Sequence, residues 1–157
     1  MAKKSGQPDV KYRLNVAAIL RNGAGKILIG ERLDRSGAWQ FPQGGVDNGE
    51  TLEQALAREL LEEISLSPSA YQIRATHGPY FYLFGNDKIV KGFHGKEQHY
   101  FLAEFTGDPA EINVETEHPE FRSVRWVEPA GFDINWLPKM KRKVYRAVFE
   151  DFFSVKI

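Results

Sequence analysis

Apolar residues fall along this chain in short runs separated by turn signals, and the spacing within each run predicts an element. Residues 15–20 and 26–31 read as strands, joined by Arg21-Asn22-Gly23-Ala24-Gly25, whose Asn-Gly step is a hairpin signal. Trp39-Gln40-Phe41 is a short strand candidate that leads through Pro42 into a Gly44-Gly45 loop. The period then becomes helical. Thr51 and Gln54 have capping-box spacing, and Leu56, Ala57, Leu60, Leu61 and Ile64 share one apolar arc until Ser67-Pro68 stops it. Residues 71–75, 80–84, 98–105 and 123–127 read as further strands, with a glycine-rich insert at 85–95 expected on the surface. Residues 106–120 are turn-rich and acidic. Pro138 opens a basic amphipathic helix that runs to about Phe153. Its Val144, Val148, Phe149 and Phe152 suit packing on a sheet, with Lys139, Lys141, Arg142, Lys143 and Arg146 nearer solvent. This order predicts an α/β fold, a mixed sheet with helices packed against it.

Composition narrows the function classes. At 157 residues and 42% hydrophobic, the chain suffices for one well-buried core and is short for two. The polar residues 1–11 read as a flexible lead and 12–157 as a single domain. Without cysteine there are no disulfides, thiolate ligands or cysteine nucleophile, so oxygen and nitrogen donors must do any metal work. No run approaches a membrane span or a signal core, which predicts a cytoplasmic protein with no membrane partner. The 21 basic and 21 acidic residues cancel, so any attraction to polyanions must be local. No DNA partner and no obligate protein partner is indicated.

The chemistry concentrates on the first helix. At about 100° per residue, Glu59, Glu62 and Glu63 lie within one arc beside the apolar one. Like charges at this spacing repel by a few tenths of a kcal/mol per pair unless a cation sits among them. A hard divalent ion such as Mg²⁺ suits such an open carboxylate face, since it keeps waters and takes phosphate oxygens into its shell. A merely solvated acidic face is the competing reading. The four histidines, His77, His94, His99 and His118, lack helical zinc-site spacing.

The stretch GGVDNGETLEQALARELLEEISL places Gly44, Glu50, Arg58-Glu59-Leu60 and Glu62-Glu63 at the spacing of the Nudix box, which the chain closely resembles. A chance match at these positions is on the order of one in a hundred thousand or rarer. One departure is Ser65, where the pattern has a glycine suited to a left-handed cap at roughly 1 kcal/mol less cost. Trp39-Gln40-Phe41-Pro42-Gln43-Gly44-Gly45, Tyr12-Arg13, Pro119-Glu120-Phe121, Trp126-Val127 and Val144-Tyr145-Arg146 extend the similarity over about residues 12–153. They resemble the branch of bacterial RNA 5′ pyrophosphohydrolases and dinucleoside polyphosphate hydrolases, including diadenosine tetraphosphate hydrolases.

The resemblance implies a Nudix α/β/α sandwich and the following roles. Glu62 and Glu63 bind Mg²⁺, with Mn²⁺ as a substitute, and Glu59 either ligates metal or serves as general base. The Gly44 carbonyl is an additional ligand. Glu120 supplies a further acid, with Glu115 and Glu117 as nearby substitutes. Glu50 and Arg58 form an ion pair that fixes loop to helix. Arg13, Arg32 and Lys141 are phosphate contacts by position, and Tyr82 is either a base-stacking ring or core. Gly95-Lys96-Glu97-Gln98-His99 stands where the branch has Gly-Gln-x-Gln-Lys, so a phosphate contact at His99 is changed in character. Met140 replaces a phenylalanine of RNA-acting relatives and removes one stacking surface.

The implied reaction is water attack on a phosphoanhydride in dinucleoside polyphosphates, in 5′-triphosphorylated RNA ends, or in both. The alternatives are a Nudix hydrolase of another nucleoside diphosphate derivative, such as a nucleotide sugar or ADP-ribose, and a non-catalytic nucleotide- or RNA-binding module. The intact box argues against the module, and residues 39–45 argue against the sugar-type substrates.

Overall fold

A computed structural model describes residues 9–157, so most of the expected flexible lead lies outside the described residues. Strand β1 (Tyr12–Arg21) is the axis of a seven-stranded mixed sheet. It runs parallel to β6 (Gly95–Phe105) over ten paired positions and antiparallel to β4 (Gln43–Gly45) on its other edge. The predicted hairpin joins it to β2 (Ile27–Arg32), where Asn22 Oδ1 accepts from the Ala24 and Lys26 N–H groups. Strand β2 pairs with β3 (Trp39–Gln40) and with β7 (Phe121–Val127), and β5 (Tyr71–Leu83) closes the far edge against β6.

Side-chain alternation along β1 distributes the core between two layers. Val16, Ala18 and Leu20 face helix α1 (Leu52–Ile64) and pack with Leu56, Leu60 and Ile64. Ala17 and Ile19 face helix α2 (Lys139–Phe153) and pack with Val144, Tyr145, Val148 and Phe149. The sheet is therefore the middle layer of an α/β/α sandwich. On the α2 side, Phe41 stacks on Tyr145 at 5.3 Å between ring centroids, and the Tyr145 hydroxyl accepts from the Phe41 N–H.

Three expectations needed correction. The gap read at 76–79 is spanned by one continuous strand, because β5 is an edge strand and there the missing N–H of Pro79 costs no inner ladder bond. Leu61 is 55% exposed and Ala55 takes the inner position, since the buried arc runs through Leu56, Leu60 and Glu63. Lys141 is buried, not solvent-facing: it extends under β3, and its Nζ donates to Gln40 Oε1 at 3.0 Å.

Candidate active site

Helix α1 is fixed at both ends. Thr51 Oγ1 accepts from the Gln54 N–H while Gln54 Oε1 accepts from the Thr51 N–H, closing the capping box. At the other end Ser65 takes the left-handed conformation, φ 62°, and its N–H donates to the Leu61 carbonyl while that of Leu66 reaches Leu60. Its hydroxyl donates to the Asn113 carbonyl at 2.9 Å, which offsets part of the cost of seating serine where glycine fits best.

Between these caps, Arg58 ties the box together. Its guanidinium forks onto Glu50 at 2.7 and 2.9 Å, donates to the Gly45 carbonyl at 2.7 Å, and reaches Glu59 at 2.8 Å and Glu62 at 3.3 Å. Donation by Arg58, then the Asp47 N–H, holds the Glu50 carboxyl down at about 2. The loop carrying Gly44 and Gly45 is thereby locked to the helix carrying the acids. Gly44 has a second reason to be glycine: a Cβ there would lie 2.0 Å from the Glu59 carboxyl carbon.

Glu63 is 4% exposed, and burial, then the charge and hydrogen bond of Glu59, then the charge of Glu120, raise its pKa well above the carboxylate range. Burial raises Glu59 as well, against the pull of Arg58, and the two acids share a hydrogen bond. A backbone hydrogen bond from Gln43 favours the ionised form of Glu63. Among the described residues no three acids or histidines are drawn together at metal-ligand spacing, and Glu62 is 57% exposed on its Arg58 contact. The donor set nevertheless suits a hard divalent ion. All the side-chain donors are carboxylate oxygens, and a cation would relieve the repulsion that now raises Glu63.

These acids lie in a cleft of about 590 Å³, within the usual range for small-molecule sites. Gly44, Glu59, Glu62, Glu63 and Glu120 line it together with Arg13, Arg32, Met140 and Lys141. Arg13 lies over Gly45 and 5.7 Å from the Phe93 ring centroid, and Arg32 forks onto Asp34 at 2.9 and 2.7 Å. Burial, then the charges of Lys96 and Arg32, pull the Lys141 ammonium down to about 7. Tyr82 reaches the cleft but is 8% exposed and belongs to the α2-side core, so it offers no open face for stacking.

His99 does not join the cleft. Alternation along β6 turns it to the opposite face, where it meets Glu97 at 2.8 Å in a separate groove beside Thr51 and His77. Glu117 borders a second groove with Thr116 and His118 that Glu59, Glu62, Glu63 and Glu120 also line, whereas Glu115 borders neither cavity. Sequence reasoning missed Lys96, Lys88, Val90, Lys91 and Phe93, all of which line the cleft. The signal for Lys96 was its alternation with His99 on one strand. The others sit in the 85–95 insert, read only as a surface feature.

The NUDIX domain model matches residues 11–152, and the chain belongs to the Nudix family. It is a Nudix hydrolase. Among curated relatives, it is 41% identical over 147 residues to the RNA pyrophosphohydrolase of Roseobacter denitrificans, covering 90% of this chain and 91% of that one. It is 38% identical over 156 residues to that of Erythrobacter litoralis, covering 94% of each. Solved structures of similar fold include an Escherichia coli dihydroneopterin triphosphate pyrophosphohydrolase, TM-score 0.67 and 20% identity over 92% of this chain and 97% of that one. Another is a Caenorhabditis elegans Ap4A hydrolase binary complex, TM-score 0.57 and 24% identity over 74% and 80% of the two chains.

Proposed function

We propose that the protein is a cytoplasmic, Mg²⁺- or Mn²⁺-dependent pyrophosphohydrolase that acts on 5′-triphosphorylated RNA ends and on dinucleoside polyphosphates. The observation that carries this reading is that one cleft is lined both by the box carboxylates and by Arg13, Arg32, Lys96 and Lys141, a lining suited to a metal-bound phosphate chain. The names of the curated relatives favour RNA ends as substrate.

Glu59, Glu62, Glu63, Glu120 and the Gly44 carbonyl would hold the metal. When bound, it supplies charge neutralisation of the phosphoanhydride and acidifies the attacking water. Glu59 accepts the proton of that water or shares in ligation, and Arg58 keeps its carboxylate oriented toward Gly44. Arg13, Arg32 and Lys141 orient the phosphate chain, so that attack occurs in line without further ordering. Met140, 36% exposed in the cleft lining, meets the first base without a ring to stack on it.

The test is release of pyrophosphate from 5′-triphosphorylated RNA, beside diadenosine tetraphosphate, a nucleotide sugar and ADP-ribose at equal concentration with Mg²⁺. Turnover of the first two is expected, with weak preference among RNA end bases. Preferred hydrolysis of ADP-ribose or the nucleotide sugar would overturn the reading. Met140→Phe is expected to improve the RNA reaction selectively, since one stacked base contributes about 1–3 kcal/mol. Equal change on both substrates would show that residue 140 does not meet a base.

A further inference from the structure

Lys96 is a half-buried cleft cation that its surroundings leave without a counter-ion. Arg32 has Asp34 at 2.7 Å, Arg13 has Asp47 at 3.9 Å, and Lys141 is sequestered on Gln40. Among the described residues Lys96 has no carboxylate at ion-pair distance; its Nζ donates only to Gln43 Oε1, at 3.2 Å. That oxygen also accepts from Asn15 Nδ2 at 2.9 Å and Gln98 Nε2 at 3.3 Å, so three donors converge on an atom with two lone pairs. The ammonium, with three hydrogens, is left with donors to spare.

Its position is equally specific. Gly95, the residue before it, is held against β5 so closely that a Cβ would lie 2.0 Å from the Tyr82 carbonyl oxygen, which fixes where the lysine leaves the strand. From there the Lys96 charge acts on Arg32 and Arg13 and on Glu63 and Glu59, all of which line the same cleft. Gln43 joins acid to cation, since its backbone holds Glu63 and its side chain holds Lys96. A half-buried cation at this junction, lacking a protein counter-ion, is costly unless a ligand anion completes it.

We infer that Lys96 binds a phosphate of a chain held among the cleft's carboxylate and cationic side chains, positioned by Gln43, and that it selects phosphate chains of three or more units. The inference rests on the proposed function in assuming a phosphate-chain substrate. It goes further in naming the residue that reads chain length: a diphosphate bearing a sugar presents less charge along the stretch that Lys96 spans.

The decisive variant is Lys96→Gln, which keeps a hydrogen-bonding side chain and removes the charge; Lys96→Arg is its charge-keeping control. With Mg²⁺ in fixed excess, equilibrium binding of inorganic tripolyphosphate should weaken roughly 10- to 100-fold in Lys96→Gln and substantially less in Lys96→Arg. Binding of 5′-triphosphorylated RNA should show a salt slope reduced by about one. The melting temperature should stay the same or rise, and activity should be lost mainly through KM. Tripolyphosphate affinity within about twofold of wild type would overturn the inference. So would a weakened affinity with a lowered melting temperature and an unchanged salt slope, the pattern of a purely structural lysine. Should wild-type protein release no pyrophosphate from RNA, the proposed function fails, while the tripolyphosphate comparison still decides the role of Lys96.

Discussion

The acidic and cationic linings of the cleft are built in opposite ways. The acidic lining comes largely from one helix, where Glu59, Glu62 and Glu63 fall within little more than one turn of a segment capped at both termini and tied down by Arg58. The cationic lining is assembled from β1 with Arg13, β2 with Arg32, β6 with Lys96, α2 with Lys141 and the 85–95 insert with Lys88 and Lys91. The difference separates two requirements. Chemistry needs a few oxygens held rigidly, which one helix provides, whereas recognition needs charge distributed along an extended ligand, which only several elements can provide.

Loss of an acid should therefore have the largest effect and fall on turnover. Glu62→Gln and Glu63→Gln are each expected to reduce kcat by more than the roughly 10- to 100-fold typical of losing a residue behind a metal ligand. In EDTA, Glu63→Gln should melt at the wild-type temperature or above it, because the amide is neutral without the proton that the buried carboxyl must take up on folding. Near-wild-type turnover of both variants at limiting Mg²⁺ would break the assignment of this lining to metal. Glu120→Gln should lose kcat more than KM, and more activity than Glu115→Gln or Glu117→Gln; the reverse order would show the fourth acid to be misplaced.

A cation of the other lining should show itself through pH. Lys141 titrates near 7 when folded, below its ordinary 10.5, so the unfolded chain binds more protons between those values. The destabilisation from burying this ammonium is then complete below pH 7 and relaxes as pH rises toward 10.5. Lys141→Met should melt higher than wild type at pH 6.5, with the difference shrinking toward pH 9, while kcat/KM on RNA falls. The pH dependence carries the test, because Gln40 loses its donor in the variant at every pH. A melting difference constant over that range would show that Lys141 is not a strained cation.

The smallest effect belongs to the helix cap. Ser65→Gly should relieve left-handed strain of roughly 1 kcal/mol and lose a hydrogen bond worth about as much, leaving the melting temperature within about 2 °C. A larger drop would show that the Asn113 contact contributes more to the acidic lining than the cap geometry does.

How much could be read in advance follows the same division. Thr51, Gln54, Glu59, Glu62 and Glu63 were legible because a helix makes neighbours in sequence into neighbours in space. Lys141 was misread as solvent-facing because periodicity cannot foresee that β3 supplies Gln40 to receive its ammonium. His99 and Lys96 fall on opposite faces of one strand, but residues 95–97 lie outside the 98–105 run read as strand, so parity could not be applied to Lys96. Strand β4 was read as loop for a similar reason, since Gln43-Gly44-Gly45 has no apolar alternation to reveal its pairing with β1.

Ser65 and Asn113 also bear on how the chain tolerates changes of length. The Asn113 N–H donates to the Ile64 carbonyl at 3.0 Å and its own carbonyl receives Ser65 Oγ, so the connection from β6 to β7 is moored midway to the end of α1. Residues inserted ahead of Asn113 would form a bulge that leaves Glu120 in place. Residues inserted between Asn113 and Glu120 would also be taken up by the connection, because the Glu120 carbonyl accepts from the Leu33 N–H at 2.9 Å and Phe121 pairs with Arg32, which hold the fourth acid to β2.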